Sequence, residues 1–133
     1  MSVLDDIPPE ISPFCRAAEI KRRAASLGFD WTNVDSLLAH AEDELREIRE
    51  AVASGDKAAI TDEMGDLLFV VANLARFTGT DADTALEKGI TKFETRFRRL
   101  EQLLQERGLS PQNADLEALW REAKILQHTW LAG

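Results

Sequence analysis

The apolar residues of segment 34–52 fall at Val34, Leu37, Leu38, Ala41, Leu45, Ile48 and Val52. Steps of 3, 1, 3, 4, 3 and 4 gather them on one side of an α-helix and on no single face of a strand. The same period returns at Leu86, Ile90, Phe93, Phe97, Leu100 and Leu104. No stretch shows strand-like alternation, and there is no internal repeat. The expected fold class is therefore all-α.

The punctuation between these stripes sets the element order. Pro8, Pro9 and Pro13 mark residues 1–13 as an extended arm or linker ahead of a helical domain over 14–133. A first helix is predicted from about Phe14 to Leu27, ended by Gly28. After the loop Gly28-Phe29-Asp30-Trp31, Thr32 or Asn33 can cap the second helix, with Asp35 favourable in its first turn. Ser54-Gly55-Asp56 breaks that helix. The third starts at Lys57 or Ile60, runs to Phe77 and stops at Gly79. Thr80 can cap the fourth, with Asp83 three residues on in a capping-box-like position. Gly108 ends it and Pro111 prevents continuation. Asp115 can cap a last helix that carries Leu119, Trp120 and Ala123 on one side. Short connections favour antiparallel neighbours, so the five helices should form an antiparallel bundle.

A chain of 133 residues fits one domain with a real core. Its formal charge of −8 disfavours nucleic acid, whose phosphates would be repelled, but leaves room for a small phosphorylated ligand held through a metal. A single cysteine, Cys15, cannot form an internal disulfide and suits a reducing, cytoplasmic setting. The longest apolar run, Leu67 to Ala72, is far too short to span a bilayer, and the N-terminus lacks a signal pattern. No membrane or nucleic-acid partner is expected.

The third helix carries the chemistry. Leu67 to Ala75 is apolar nearly all round, which normally means burial, yet Glu63 and Asp66 stand at its start. At ~100° per residue Glu63, Asp66, Val70, Asn73 and Phe77 share one sector of about 80°. Two carboxylates on a core-facing side need a cation or a wet cleft. Glu44 and Glu47, three apart on the second helix, form a second pair, Glu44 at the edge of the apolar stripe and Glu47 further round. A hairpin of the two helices would bring four hard oxygen ligands together, a set suited to Mg²⁺ or Mn²⁺. The plainer alternatives are a solvated charged face over Glu42 to Glu50 and a helix-dipole preference for Glu63 and Asp66.

Lys88, Lys92, Arg96 and Arg99 make a basic ladder on the fourth helix, roughly 120° from the Phe93/Phe97 stripe. It reads as a solvated face or as a phosphate grip; in an oligomer a partner's helix could supply the grip. Trp120 and Lys124 lie one turn apart, either as a core or interface tryptophan beside a surface lysine or as a base contact beside a phosphate-binding lysine. Trp31 and Phe29 read as core or hinge aromatics. His40 and His128 show no partner pattern and read as structural or surface residues, and nothing near Cys15 suggests nucleophilic chemistry.

Several segments in chain order resemble the MazG nucleotide pyrophosphohydrolases. Asp62-Glu63-Met64-Gly65-Asp66-Leu67-Leu68-Phe69, then Val71-Ala72-Asn73-Leu74-Ala75-Arg76, resembles the family's central block. Glu44-Leu45-Arg46-Glu47 is similar to its ExxE, Lys92-Phe93-Glu94-Thr95-Arg96-Phe97 to its KFxxRF, and Leu119-Trp120-Arg121-Glu122-Ala123-Lys124 to its LWxxAK. Gly28-Phe29-Asp30-Trp31 also matches. The resemblance is greatest to the C-terminal half of two-domain members, and the proline-bearing arm looks like the linker before that half. Asp43 and Asp62 stand where the family often has Glu, and Phe77 where it often has His.

The resemblance implies an all-α NTP pyrophosphatase fold that assembles as a homodimer or larger. It implies hydrolysis of an NTP or dNTP to the monophosphate and pyrophosphate. Glu44, Glu47, Glu63 and Asp66 would hold Mg²⁺, with Mn²⁺ as a substitute. Lys92, Arg96 and Lys124 would meet the triphosphate, and Trp120 the nucleotide. Glu44 or Glu47, or a hydroxide held by the metal, would activate the attacking water. The alternative class is a module that keeps the fold without turnover, either a nucleotide or Mg²⁺ binder or a helical assembly unit.

Overall fold

The computed structural model describes residues 1–132, with side chains described through Ile125. Five helices form α1 (Pro13–Ala25), α2 (Val34–Ser54), α3 (Lys57–Phe77), α4 (Ala82–Glu106) and α5 (Leu116–Ala132), and no strand occurs among the described residues. The chain divides into two compact units, Met1–Ala85 and Leu86–Gly133.

Caps explain most boundaries. Asn33 accepts a hydrogen bond from the Ser36 N–H at 2.8 Å and starts α2. Asp56 accepts from the Ala58 N–H at 3.0 Å and starts α3 at Lys57. Between them Gly55 takes φ 72°, the left-handed conformation a helix end favours in glycine. Asp115 starts α5 by accepting from the Ala118 N–H at 3.1 Å. The expected Thr80 cap of α4 is corrected. Asp81 takes that place, accepting from the Thr84 N–H and hydroxyl. A carboxylate is an acceptor with a full charge beside the positive helix end, whereas the Thr80 hydroxyl donates back to the Ala75 carbonyl at 3.2 Å. Asp83, read as the capping-box partner, instead accepts from Ser12 Oγ and Cys15 Sγ at the start of α1.

In the first unit α3 packs against both α1 and α2. The two-residue turn after Ser54 makes α2 and α3 an antiparallel hairpin. The buried line on α2 is Leu37, Glu44 and Ala51, with Ala41 and Ile48 half-buried between them. Glu44 is thus in the middle of the packed face, not at its edge. Leu38, Leu45 and Val52, seven apart, are exposed. Burial of α3 is likewise one-sided. Val70, Ala72 and Asn73 are buried, while Met64, Leu68, Phe69 and Val71 are exposed. The all-round burial expected of this helix is not what the chain shows, since two neighbours cover only part of its circumference.

In the second unit Leu100, Leu103 and Leu104 of α4 pack with Leu119 and Ala123 of α5, flanked by Ala114 and Trp120. Arg107, just after α4, donates to Glu122 of α5. The first part of the α4 stripe, Leu86, Ile90, Phe93 and Phe97, stays exposed. No described helix is long and apolar enough to cross a membrane.

Candidate metal centre

Hairpin symmetry assembles the site. Glu44 and Asp66 stand equally far before and after Gly55, so an antiparallel pair closed at that turn brings them level. Glu63, three residues before Asp66, shares its helix face. The result is a trio, Glu44, Glu63 and Asp66, each offering a carboxylate oxygen within 4.8 Å of the others. Glu44 is 7% exposed, Glu63 half-buried and Asp66 exposed, so the cluster opens from core to solvent. Glu47 is exposed and outside the trio, but its carboxyl bears on both Glu44 and Glu63.

Neither plainer alternative accounts for the whole trio. Because α3 starts at Lys57, Glu63 and Asp66 lie beyond its first turn, where the dipole acts. A solvated face accounts for the exposed Glu42, Asp43, Glu47 and Glu50, and Arg46 pairs with Asp43, but it does not account for buried Glu44.

No Lys or Arg among the described residues forms an ion pair with this trio; His40 alone approaches it, at Glu44. Glu44 Oε2 and Glu63 Oε2 are buried and accept no hydrogen bond from the described residues. A buried, unpaired carboxylate oxygen is costly. The carboxyl of Glu63 is pushed up to about 7, first by its contact with the Glu47 carboxyl, then by burial and by the charges of Glu47, Asp66 and Glu44. Glu44 is raised by burial first, then by Glu47 and Asp66, with His40 acting the other way. Two orphaned oxygens and three convergent anionic ligands fit a hard divalent cation, which would supply the missing partner.

These shifts predict a pH dependence. A carboxyl raised from near 4.5 to about 7 in the fold binds protons that the unfolded chain has released. Its stabilising contribution is full below about 4.5 and is lost as pH rises through about 7. The melting temperature in EDTA should therefore fall between pH 5 and 7.5, and Glu63→Gln should flatten that slope. An equally steep slope in Glu63→Gln, followed by circular dichroism, would remove Glu63 as its source.

The other expected site residues lie on α4 and α5. Lys92 is exposed, and Arg96 is half-buried with its guanidinium over the Trp120 ring, 5.1 Å from the centroid. Trp120 also meets Phe93 at 5.1 Å between centroids. Arg96 is therefore joined to the Phe93/Phe97 stripe through a tryptophan from α5, closer than its helix angle suggested. Lys124 is exposed one turn beyond Trp120. An apolar groove of ≈ 790 Å³ runs beside these rings, lined by Phe93, Phe97, Leu104, Leu116 and Trp120 among others.

The sequence profile of the MazG nucleotide pyrophosphohydrolase domain matches residues 32–100, more than half of the chain and the whole of the carboxylate hairpin. The chain belongs to the MazG family. It is 43% identical over 130 residues to the nucleoside triphosphate pyrophosphohydrolase of Escherichia coli strain K12, covering 92% of this chain and 49% of that protein. It is 35% identical over 126 residues to the nucleoside triphosphate pyrophosphohydrolase/pyrophosphatase MazG of Thermotoga maritima, covering 92% of this chain and 48% of that protein. A shorter match, 37% over 65 residues, joins it to the uncharacterized protein YabN of Bacillus subtilis. This MazG-family chain thus spans about half the length of the curated relatives it matches most fully.

Two sequence readings need correction. His40 has partners. Its Nε2 lies 3.6 Å from Glu44 Oε1 and its ring packs on Trp31 at 5.1 Å between centroids. The i, i+4 spacing of His40 and Glu44 carried that signal. Of the two readings of Phe29, core is overturned: it is 73% exposed, with Lys21 Nζ over its ring at 5.2 Å. His128 lies outside the residues whose side chains are described.

Proposed function

We propose that this chain hydrolyses nucleoside triphosphates, NTP or dNTP, to the monophosphate and pyrophosphate with Mg²⁺, and that Mn²⁺ can substitute. The observation that carries the reading is the trio Glu44, Glu63 and Asp66 with two buried oxygens that have no hydrogen-bond partner among the described residues. Glu44, Glu63 and Asp66, with Glu47 beside them, would hold the cation. When bound, it neutralises phosphate charge and eases departure of pyrophosphate.

The remaining work falls to the chain itself. Glu47 is the better candidate for the base that takes a proton from water attacking the α-phosphorus. It reaches solvent and stands outside the tight trio, where a water can approach it. Glu44, buried and turned to His40, is less accessible. Lys92, Arg96 and Lys124 would offset the charge of the triphosphate, Arg96 with a fork and the lysines as point charges. The nucleotide would rest against Trp120, whose ring faces the apolar groove.

Pyrophosphate release from a mixed nucleotide pool, with Mg²⁺, with Mn²⁺ and with EDTA, tests the reading. Release only with metal supports it. Nucleotide binding without release would make the chain a binding module, and neither would leave an assembly unit.

A homodimer or larger assembly is part of the same proposal. Leu45 and Val52 are 55% and 58% exposed in a seven-residue series that begins at Leu38, and Met64, Leu68 and Val71 extend apolar exposure onto α3. So many exposed large apolar side chains on two packed helices favour a partner surface. Light scattering at micromolar concentration should give at least twice the 14.9 kDa chain mass. A value of one chain mass would overturn the proposal, and Leu45→Glu should lower the mass if this face is the interface.

A further inference from the structure

The two oxygens of Glu44 are not equivalent. Oε1 has the His40 Nε2 at 3.6 Å, while Oε2 is buried with no hydrogen-bond partner. The imidazole is held in turn. The Trp31 ring lies against it at 31° between planes. The Trp31 N–H donates to Asp30 Oδ1 at 2.8 Å, and the same oxygen accepts from Arg76 Nη2 at 2.6 Å. Arg76 Nε donates to Asn73 Oδ1 at 2.9 Å, and Asn73 is 3% exposed on α3. Burial alone would raise the Asp30 carboxyl, but the Trp31 N–H and Arg76 outweigh it and hold it below the usual range. One connected run therefore leads from the packed face of α3, through the loop before α2, to one oxygen of Glu44.

We propose that His40 is a positioning residue for the cation site, its Nε2 orienting the Glu44 carboxylate through Oε1 so that Oε2 is kept for the metal, with Trp31 packed on the ring. This rests on the reading of the carboxylate trio as a cation site. The physical need is clear. A glutamate side chain has three rotatable bonds, and Glu44, the α2 member of the close trio, must hold one orientation to meet Glu63 and Asp66 on α3. At 3.6 Å the contact is longer than a formed hydrogen bond, so its effect is orientation of a charged group by a nearby donor, not a rigid tie. Groups that orient metal-ligating carboxylates commonly change metal affinity by roughly ten- to hundred-fold when removed.

The test is Mn²⁺ binding to the whole chain without nucleotide, read from the electron-paramagnetic-resonance signal of free Mn²⁺. Wild type, His40→Leu, His40→Gln and Glu44→Gln are compared, with far-UV circular dichroism and urea unfolding in EDTA as the measure of folding. His40→Leu keeps the bulk and removes the donor; it should raise the Mn²⁺ Kd about tenfold or more. His40→Gln can present an amide N–H in place of Nε2 and should recover most of the affinity, which a merely structural role would not require. If His40→Leu fails to fold, His40→Gln against His40→Ala makes the same comparison, since the half-exposed ring leaves room for truncation. Equal losses in the donor and non-donor variants would overturn the proposal. Wild-type affinity in His40→Leu with loss in Glu44→Gln would overturn it while leaving the cation site in place. Unchanged binding in Glu44→Gln would remove the cation site and this inference with it.

Discussion

Glu63→Gln and Asp66→Asn are each expected to abolish pyrophosphate release and Mn²⁺ binding while leaving the helical content intact. Both changes keep side-chain size and remove one anionic ligand from a trio whose oxygens lie within 4.8 Å. A divalent cation on a triphosphate contributes several kcal/mol of transition-state stabilisation, so the loss in kcat/KM should reach at least about 10³-fold. The same substitutions should raise the melting temperature in EDTA. Glu63 is held up by Glu47, Asp66 and Glu44, and taking one charge from that group relieves the others. Activity and metal-free stability should therefore move in opposite directions. A structural role for these carboxylates would lower both, or lower stability alone. Full activity in either variant, measured with saturating Mg²⁺, would take the trio out of the chemistry.

The helices were legible because their signals are local. Apolar period, Asn33, Asp56 and Asp115 as caps, and Gly55 as a terminator each act within a few residues, so a sequence shows them. The approach of Glu44 to Glu63 and Asp66 was legible for the same reason, since a short turn at Ser54-Gly55-Asp56 favours antiparallel neighbours; that Glu47 falls outside the trio was not. Which side of α2 is packed was not. Val34, Leu38, Leu45 and Val52 belong to the same stripe as Leu37, and only the position of α3 decides that Leu37, Glu44 and Ala51 are inside. The cap of α4 was misread because Thr80 and Asp81 are adjacent candidates, and the choice between them depends on where the chain leaves α3. The run from Arg76 to Asp30 joins residues 46 apart in sequence, a separation that no periodicity reports. His40 was passed over for the opposite reason. Its spacing to Glu44 was visible, but Trp31, which holds its ring, comes from the preceding loop.

Arg96→Ala and Lys92→Ala are expected to lower kcat/KM by roughly ten- to hundred-fold each, and Lys88→Ala and Arg99→Ala by less than about threefold, in line with ~1.5–3 kcal/mol for a charge-assisted contact. All four cations share one helix and similar general electrostatics, so the comparison is internal. Arg99 is already engaged on its own helix, donating to Gln102 at 3.2 Å and Glu106 at 3.4 Å. Arg96 instead lies half-buried on Trp120. Its removal also deletes a cation–π contact worth about 0.5–1 kcal/mol, so part of any loss could come from a loosened α4–α5 hairpin. Arg96→Lys separates the two contributions, because it keeps a cation near the ring but loses the fork that grips two phosphate oxygens. If the fork binds substrate, Arg96→Lys should keep the thermal stability of the wild type and still lose most of the activity, with kcat affected as well as KM because phosphate charge changes as the bond breaks. Equal, small losses across all four alanine variants would make the ladder a solvated face. The triphosphate would then be sought beside Lys124, the cation one turn beyond Trp120 on α5.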